Sequence, residues 1–178
     1  FVEVKAEYAK EMVTGFIQLD GVTVGAVANR TAIYDENGEK AEEFAAVLTT
    51  DGAYKAAEFV TFCNAFEIPV LSLTNVKGFE ANVRAEKTIA KAAAKLVYAF
   101  SNADVPKVNV ITGEAYGSAY VAMNSKSVGA DMVYAWSQAS IGMMDASLAA
   151  KIMYADEIAA ADDVTAKINE KASEYAAL

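Results

Sequence analysis

Apolar and polar residues change their rhythm once along this chain, near residue 53. Before that point, "TGFIQLDGVTVGAVAN" holds two β-type runs around Asp20-Gly21. Asp-Gly between Leu19 and Val22 signals a two-residue hairpin, because such a turn needs φ above zero at its centre. Strands are expected over residues 13–19 and 22–28. Residues 31–51, which include "YDENGEKAEE", read as a polar, exposed excursion. Beyond it, strand and helix patterns alternate. Phe59, Phe62, Cys63 and Phe66 recur at i, i+3, i+4 and i+7, which predicts a helix over 53–66 that buries this face. "IPVLSLTN" predicts a strand over 69–74, with Pro69 at its first position. Residues 83–102 form an alanine-rich helix with Ile89, Ala93, Leu96 and Phe100 as its buried stripe and Lys87, Lys91 and Lys95 as a solvated one. Further strands are expected over 106–112 and 131–135, with a short one at "ASIGMM". A helix begins at Asp145 as N-cap, and a last helix spans 156–176 with Val164, Ile168 and Tyr175 on one face.

Strands that alternate with long helices imply parallel pairing and an α/β fold, here as one domain without a linker. The 178 residues, 54% hydrophobic, are enough for a substantial core. Met143, Met144, Met153 and Trp136 are assigned to it. The lone Cys63 excludes an internal disulfide and reads as a buried thiol in a reducing compartment. A net charge of -9 argues against a phosphate-binding surface, so no nucleic-acid partner is expected. No run of eighteen apolar residues occurs, and a cytoplasmic protein is the expectation.

The chain has no histidine. That removes Ser-His and Cys-His catalysis and imidazole bases. Chemistry here would run on backbone amides, carboxylates, lysines, hydroxyls or a bound cofactor. Two segments stand out, "TNVKGFEAN" and "TGEAYGSAY", each placed after a strand and before a helix. Ligands of open α/β sheets gather beyond the carboxyl ends of strands. Unpaired amides at a helix start can stabilise a developing oxyanion. Small residues would serve close helix–sheet packing equally well, and spacing alone does not choose. "TGEAYG" lacks the Lys-Ser or Lys-Thr of a phosphate loop and the three correctly spaced glycines of a dinucleotide fingerprint. The acidic run from Asp35 is not a calcium loop, since Lys40 stands where Gly is needed.

The stretches "AAEFVTFCNAFEIPVLSLTNVKGF", "AKAAAKLVYAFSNADVPKVNVITGEAYGSAYVAMNSK", "GADMVYAW" and "ASIGMMDASLAAKIMY" resemble the carboxyltransferase subunits of biotin-dependent acyl-CoA carboxylases and decarboxylases. The opening "YAKEMVTGFIQLDGVTVGAVAN" fits the same family, in its C-terminal half. The resemblance implies a crotonase-like fold, a spiral of ββα units. It implies that residues 1–178 are the biotin-side domain of a longer two-domain subunit. The family's Y-G-G-A-Y loop, here Tyr116 to Tyr120, places backbone amides on the ureido oxygen of biotin. Ser118 and Ala119 are then the oxyanion-hole donors, with Gly117, Tyr120, Gly78 and Phe79 contacting the cofactor. Val121 stands where many members carry an acyl-selecting aspartate. The implied cofactor is biotin on a separate carrier protein, and the implied substrate is a short acyl-CoA. Implied partners are the acyl-CoA-binding N-terminal carboxyltransferase domain, the biotin carboxyl carrier protein and further copies of the chain. Departures are Ser118 for the second glycine, Lys77 for proline, Asn75 for aspartate, Ser137 for proline and Asp145 for glycine. The alternatives are a free-standing crotonase-like acyl-CoA enzyme and a non-catalytic assembly domain.

Overall fold

The structure is a computed structural model that describes residues 1–177. It divides into two compact units, Phe1–Ile141 and Gly142–Leu178, where the sequence reading expected one body.

The first unit opens with strands β1 (Val2–Glu3), β2 (Met12–Leu19) and β3 (Val22–Asn29). The Asp20-Gly21 turn holds φ of 49° and 79°, the pair of left-handed conformations that the hairpin requires. The supposed loop 31–51 is instead partly ordered by a second hairpin, β4 (Ala32–Tyr34) with β5 (Lys40–Glu43). Asp35 closes its turn by accepting from the amides of Asn37 and Glu39, both at 2.9 Å. Helix α1 (Thr50–Ala65) starts three residues before the expected boundary at 53, because Thr49 caps the amide of Gly52 and Asp51 favours the helix dipole. Strand β6 (Val70–Val76) begins after Pro69, whose carbonyl receives the amide of Gly25. Helix α2 (Val83–Asn102) is capped by Asn82. Strand β7 (Lys107–Tyr116) runs directly into α3 (Gly117–Ala122), then a 3-10 turn (Lys126–Val128), β8 (Met132–Ala135) and β9 (Ser140–Gly142).

The large sheet has seven strands in the order β1-β2-β3-β6-β7-β8, with β9 also on β7. The pairs β3–β6, β6–β7 and β7–β8 are parallel, as strand–helix alternation requires. Phe59, Val60 and Cys63 of α1 and Leu96 and Phe100 of α2 are buried in the core. The predicted face of α1 is only half right. Phe62 and Phe66 stay exposed, Phe66 at 64%, and stack on each other with ring centroids 4.5 Å apart. Periodicity shows that a face is apolar, not that something covers it. Of the stripe expected on α2, Leu96 and Phe100 are buried and Ile89 and Ala93 half-buried, while Ala85, Ala92 and Ala99 complete the buried face. Cys63 is buried as expected, and burial pushes its thiol up to about 11. Trp136 is not core, being 62% exposed. It continues the outward alternation of Met132 and Tyr134 on β8, the last strand of the path.

The second unit holds α4 (Ala146–Met153), α5 (Ala155–Ala159) and α6 (Val164–Ala176). Asp145 caps α4 through the amides of Ser147 and Leu148. The single helix expected over 156–176 is broken, since Asp163 caps a fresh start at α6 by accepting from Ala166 at 2.9 Å. Met143 and Met153 are exposed, Met143 at 77%, so neither belongs to the core. Ala149, Ala150 and Ile158 fill the unit's small interior.

Candidate functional site

The register of β6 and β7 fixes where the two glycine segments go. The strands pair in parallel with Val76 beside Ala115. Gly78 lies two residues past the first and Gly117 two past the second. Both segments therefore emerge at the carboxyl edge of neighbouring central strands, where such sheets bind ligands. The ladder is interrupted between Thr74 and Val76. Asn75 fills the break: its Oδ1 accepts from the amide of Glu114 at 2.9 Å. A side chain on Gly113 would lie 2.6 Å from that oxygen, so glycine is needed there for close approach.

The second segment is not a loop. β7 continues through Tyr116, and α3 starts at once with Gly117 at φ of 58°. Glycine takes this left-handed value freely, while other residues are strained by it. No side chain caps the helix, so the amides of Gly117, Ser118 and Ala119 belong to the unpaired first turn. Ser118 is exposed, Gly117 and Tyr120 are half-buried, Ala119 is buried, and Val121 is exposed. Burial raises the Tyr120 phenol above its usual value. Tyr116 shares a 2.7 Å hydrogen bond with the hydroxyl of Ser140.

The first segment is tied from its other side. The amide of Leu48 donates to the carbonyl of Gly78 at 2.9 Å, and that of Glu80 to the carbonyl of Leu48 at 3.1 Å. Leu48 thus bridges to Phe79, whose own N–H and C=O face the opposite way. Phe79 packs against the core. Cavities lie between β2 and α1 and beside the start of α1.

Sequence reasoning missed the clamp beneath α3. Thr74 donates to Oδ1 of Asn109 at 2.8 Å, and Nδ2 of Asn109 donates to the carbonyl of Met123 at 3.1 Å. Met123 is the C-cap of α3. The next residue, Asn124, has φ of 58° and donates to the hydroxyl of Ser72 and the carbonyl of Val108. Ser125 returns a hydrogen bond to Val121 at 3.0 Å. All these side chains are buried. Apart from the local bond from Ser125 to Val121, these contacts join β6, β7 and the end of α3, so no local spacing announces them. A six-residue helix is about 9 Å long, so fixing its end also fixes its start.

No metal-binding group of three or more acidic, Cys or His side chains occurs among the described residues. No helix among them is long and apolar enough to cross a membrane.

The carboxyl transferase domain model matches residues 1–178. The chain is 42% identical to the methylmalonyl-CoA carboxyltransferase 12S subunit of Propionibacterium freudenreichii subsp. shermanii over 176 residues, covering 98% of this chain and 32% of that protein. It is 42% identical to a putative propionyl-CoA carboxylase beta chain of Bacillus subtilis (strain 168), covering 98% of this chain and 33% of that one. A crystal structure of transcarboxylase 12S with methylmalonyl-coenzyme A and methylmalonic acid bound superposes with a TM-score of 0.83 at 43% identity, covering 98% of this chain and 32% of that chain. The chain thus spans about a third of the length of these relatives. Its fold is the crotonase-like α/β fold expected, and the chain belongs to the carboxyl transferase domain family.

Proposed function

We propose that this chain is the biotin-side domain of an acyl-CoA carboxyltransferase, moving a carboxyl group between carboxybiotin and a short acyl-CoA. The observation that carries the reading is the uncapped start of α3 at the carboxyl edge of β7, beside the Gly78–Phe79 segment that follows β6. The ureido group of biotin, when bound, supplies the carboxyl carrier and an oxygen that gains negative charge during transfer. The chain's part is to hold the amides of Ser118 and Ala119 fixed toward that oxygen. Fixed donors of this kind act without a titrating group, which suits a histidine-free chain. The residues fit such a group: the first-turn amides lack an internal acceptor, and Ser118 at the mouth is exposed. Gly117, Tyr120, Gly78 and Phe79 would border the ring. Val121, exposed one residue further, would face the acyl side.

The partners in this reading are an acyl-CoA-binding N-terminal carboxyltransferase domain, a biotin carboxyl carrier protein and further copies of the chain in the cytoplasm. The names of relatives support the reaction class, since they include a methylmalonyl-CoA carboxyltransferase and propionyl-CoA carboxylase beta chains. The crystal structure of transcarboxylase 12S is described as a hexamer assembly. Exposed Met132 and Tyr134 on β8, with Trp136 just past its end, supply apolar surface for assembly.

The test is carboxyl transfer in the complex with the acyl-CoA-binding half. Ala119→Pro removes one amide donor, and loss of one such donor costs ~10²–10³ in rate. Ser118→Gly keeps the amide, removes the side chain, and should hold or raise the rate. An Ala119→Pro variant with the parent's melting profile and the parent's transfer rate overturns the assignment.

A further inference from the structure

Lysine is among the residues least often fully buried, and when buried it is normally paired with a carboxylate. Lys55, on α1, is only 2% exposed, yet no carboxylate among the described residues lies within ion-pair distance of it. Its ammonium donates to two backbone carbonyls, Tyr8 at 2.8 Å and Ala9 at 3.4 Å. That leaves one of its three N–H groups without a partner. Burial pushes the Lys55 ammonium below the usual lysine range. More distant charges work both ways, Glu3 and Glu11 against Arg30 and Lys5. Of these carboxylates, Glu3 is already paired with Arg30 at 3.1 Å, and Glu11 accepts from Thr49. The other buried lysine, Lys107, differs in kind. Its ammonium donates to Ala103 at the C-terminal end of α2, where the helix dipole supplies negative potential. Lys55 has no such compensation.

The same side chain lines a cavity of about 280 Å³, with Val4, Thr14, Phe16, Phe59 and Phe62 forming most of its wall. Phe16 and Phe59 are in ring contact at 5.2 Å, and Phe16 and Phe62 at 6.1 Å. Thr14 spends its hydroxyl on the carbonyl of Val4. The remaining lining charges are Lys5 and Glu58, joined at 2.5 Å, with Lys95 a further 3.9 Å from Glu58. Glu58 is thus paired at the rim, and its hydrogen bond to Lys5 lowers its carboxyl from the usual value. Lining charges sum to one net positive, from Lys5, Lys55 and Glu58, in a chain whose net charge is -9.

We propose that this cavity binds a small apolar carboxylate, its acid group on Lys55 and its hydrocarbon against Phe16, Phe59 and Phe62. The apolar wall favours a hydrocarbon, and the one uncompensated charge favours an anion. The volume is just below the ~300–1,000 Å³ of ordinary ligand pockets, which suits a short chain or a single ring rather than a whole coenzyme. This site is built from β2 and α1 and goes beyond the transfer reaction proposed above, so it stands or falls without it.

The test is calorimetric titration of the chain with octanoate and, separately, octanol. A charge-assisted hydrogen bond predicts octanoate tighter by about tenfold or more. Lys55→Met should erase that preference while leaving octanol binding in place. Val4→Trp, which fills the cavity from the sheet edge, should weaken both ligands. Octanol binding as tightly as octanoate, or no octanoate binding at millimolar concentration, overturns the proposal. So does a preference that survives Lys55→Met. If Lys55→Met fails to fold, Val4→Trp decides together with the octanoate-to-octanol ratio of the parent: unchanged octanoate affinity in Val4→Trp refutes the site.

Discussion

The clamp under α3 makes a prediction whose sign is not obvious. Thr74→Val removes the hydroxyl that donates to Asn109 at 2.8 Å, and it strands Oδ1 of Asn109 in the core. A buried polar atom left without a partner costs ~1–3 kcal/mol, above the ~0.5–1.5 kcal/mol of an ordinary hydrogen bond. A loss of about 2 kcal/mol is expected for Thr74→Val. Asn109→Leu removes two hydrogen bonds but strands less, because the Thr74 hydroxyl already lies 3.4 Å from the carbonyl of Met123 and can turn fully to it. Its cost should be about 1–2 kcal/mol. In the double variant Asn109 Oδ1 is gone, and the only new orphan is the Met123 carbonyl. The double variant should therefore be more stable than the sum of the singles by about 1 kcal/mol. Urea unfolding of all four proteins closes the cycle. Hydrogen exchange gives a second readout: amides of Val121 to Met123 should exchange faster in both single variants, since the helix they belong to has lost its anchor. Strict additivity, with unchanged exchange at these amides, would refute the clamp.

Gly25→Ala should cost about 1–3 kcal/mol in urea unfolding, because the added Cβ would sit 2.5 Å from Sγ of Cys63 and 3.2 Å from the Phe59 ring. At pH 8 the Cys63 thiol, pushed from 9.0 to about 11, carries about a hundredth of the thiolate of an ordinary cysteine. Alkylation should be slower by at least that factor until the chain is unfolded. Because its folded pKa is raised, the group's stabilising contribution is complete below pH 9 and is lost as pH rises through about 11. Stability measured against a Cys63→Ala variant should show that loss, and a flat difference from pH 8 to 11 would contradict it. The chain supplied with carboxybiotin and acyl-CoA, but without the acyl-CoA-binding half, should not transfer carboxyl, since positioning both reactants supplies much of such a rate. Turnover by the chain alone would show that the site is complete within it.

How much of the fold was written locally can be judged residue by residue. The Asp20-Gly21 hairpin was legible because its geometry is set by two adjacent residues. Parallel pairing was legible because long helices between strands leave no other connection. The exposure of Phe62, Phe66, Trp136, Met143 and Met153 was not. Hydrophobicity states that burial is favourable; only a neighbour can provide it. The early start of α1 was in view, since Thr49 and Asp51 are good capping residues, but the expected boundary at 53 rested on the apolar repeat alone. The break before α6 was also in view at Asp162-Asp163, where an acidic cap outweighed a continuous apolar pattern.

The candidate site divides in the same way. Small residues after two strands were legible as a shared edge of the sheet, because a parallel register brings successive strand ends together. The clamp could not be foreseen: Thr74 and Asn109 are separated by 35 positions and meet only through that register. Lys55 was equally hidden, since a lysine on an amphipathic helix reads as solvated until its burial is known. Asn75 joins the two levels. The resemblance noted it only as a departure from aspartate. Here its carboxamide oxygen does what a carboxylate would do, holding the amide of Glu114 at the break in β7. It does so without adding a full negative charge at the edge where the α3 amides emerge. A carboxylate there would weaken the positive potential that those amides offer an anion. The position therefore needs an acceptor of fixed geometry, and the neutral one is compatible with the proposed oxyanion site.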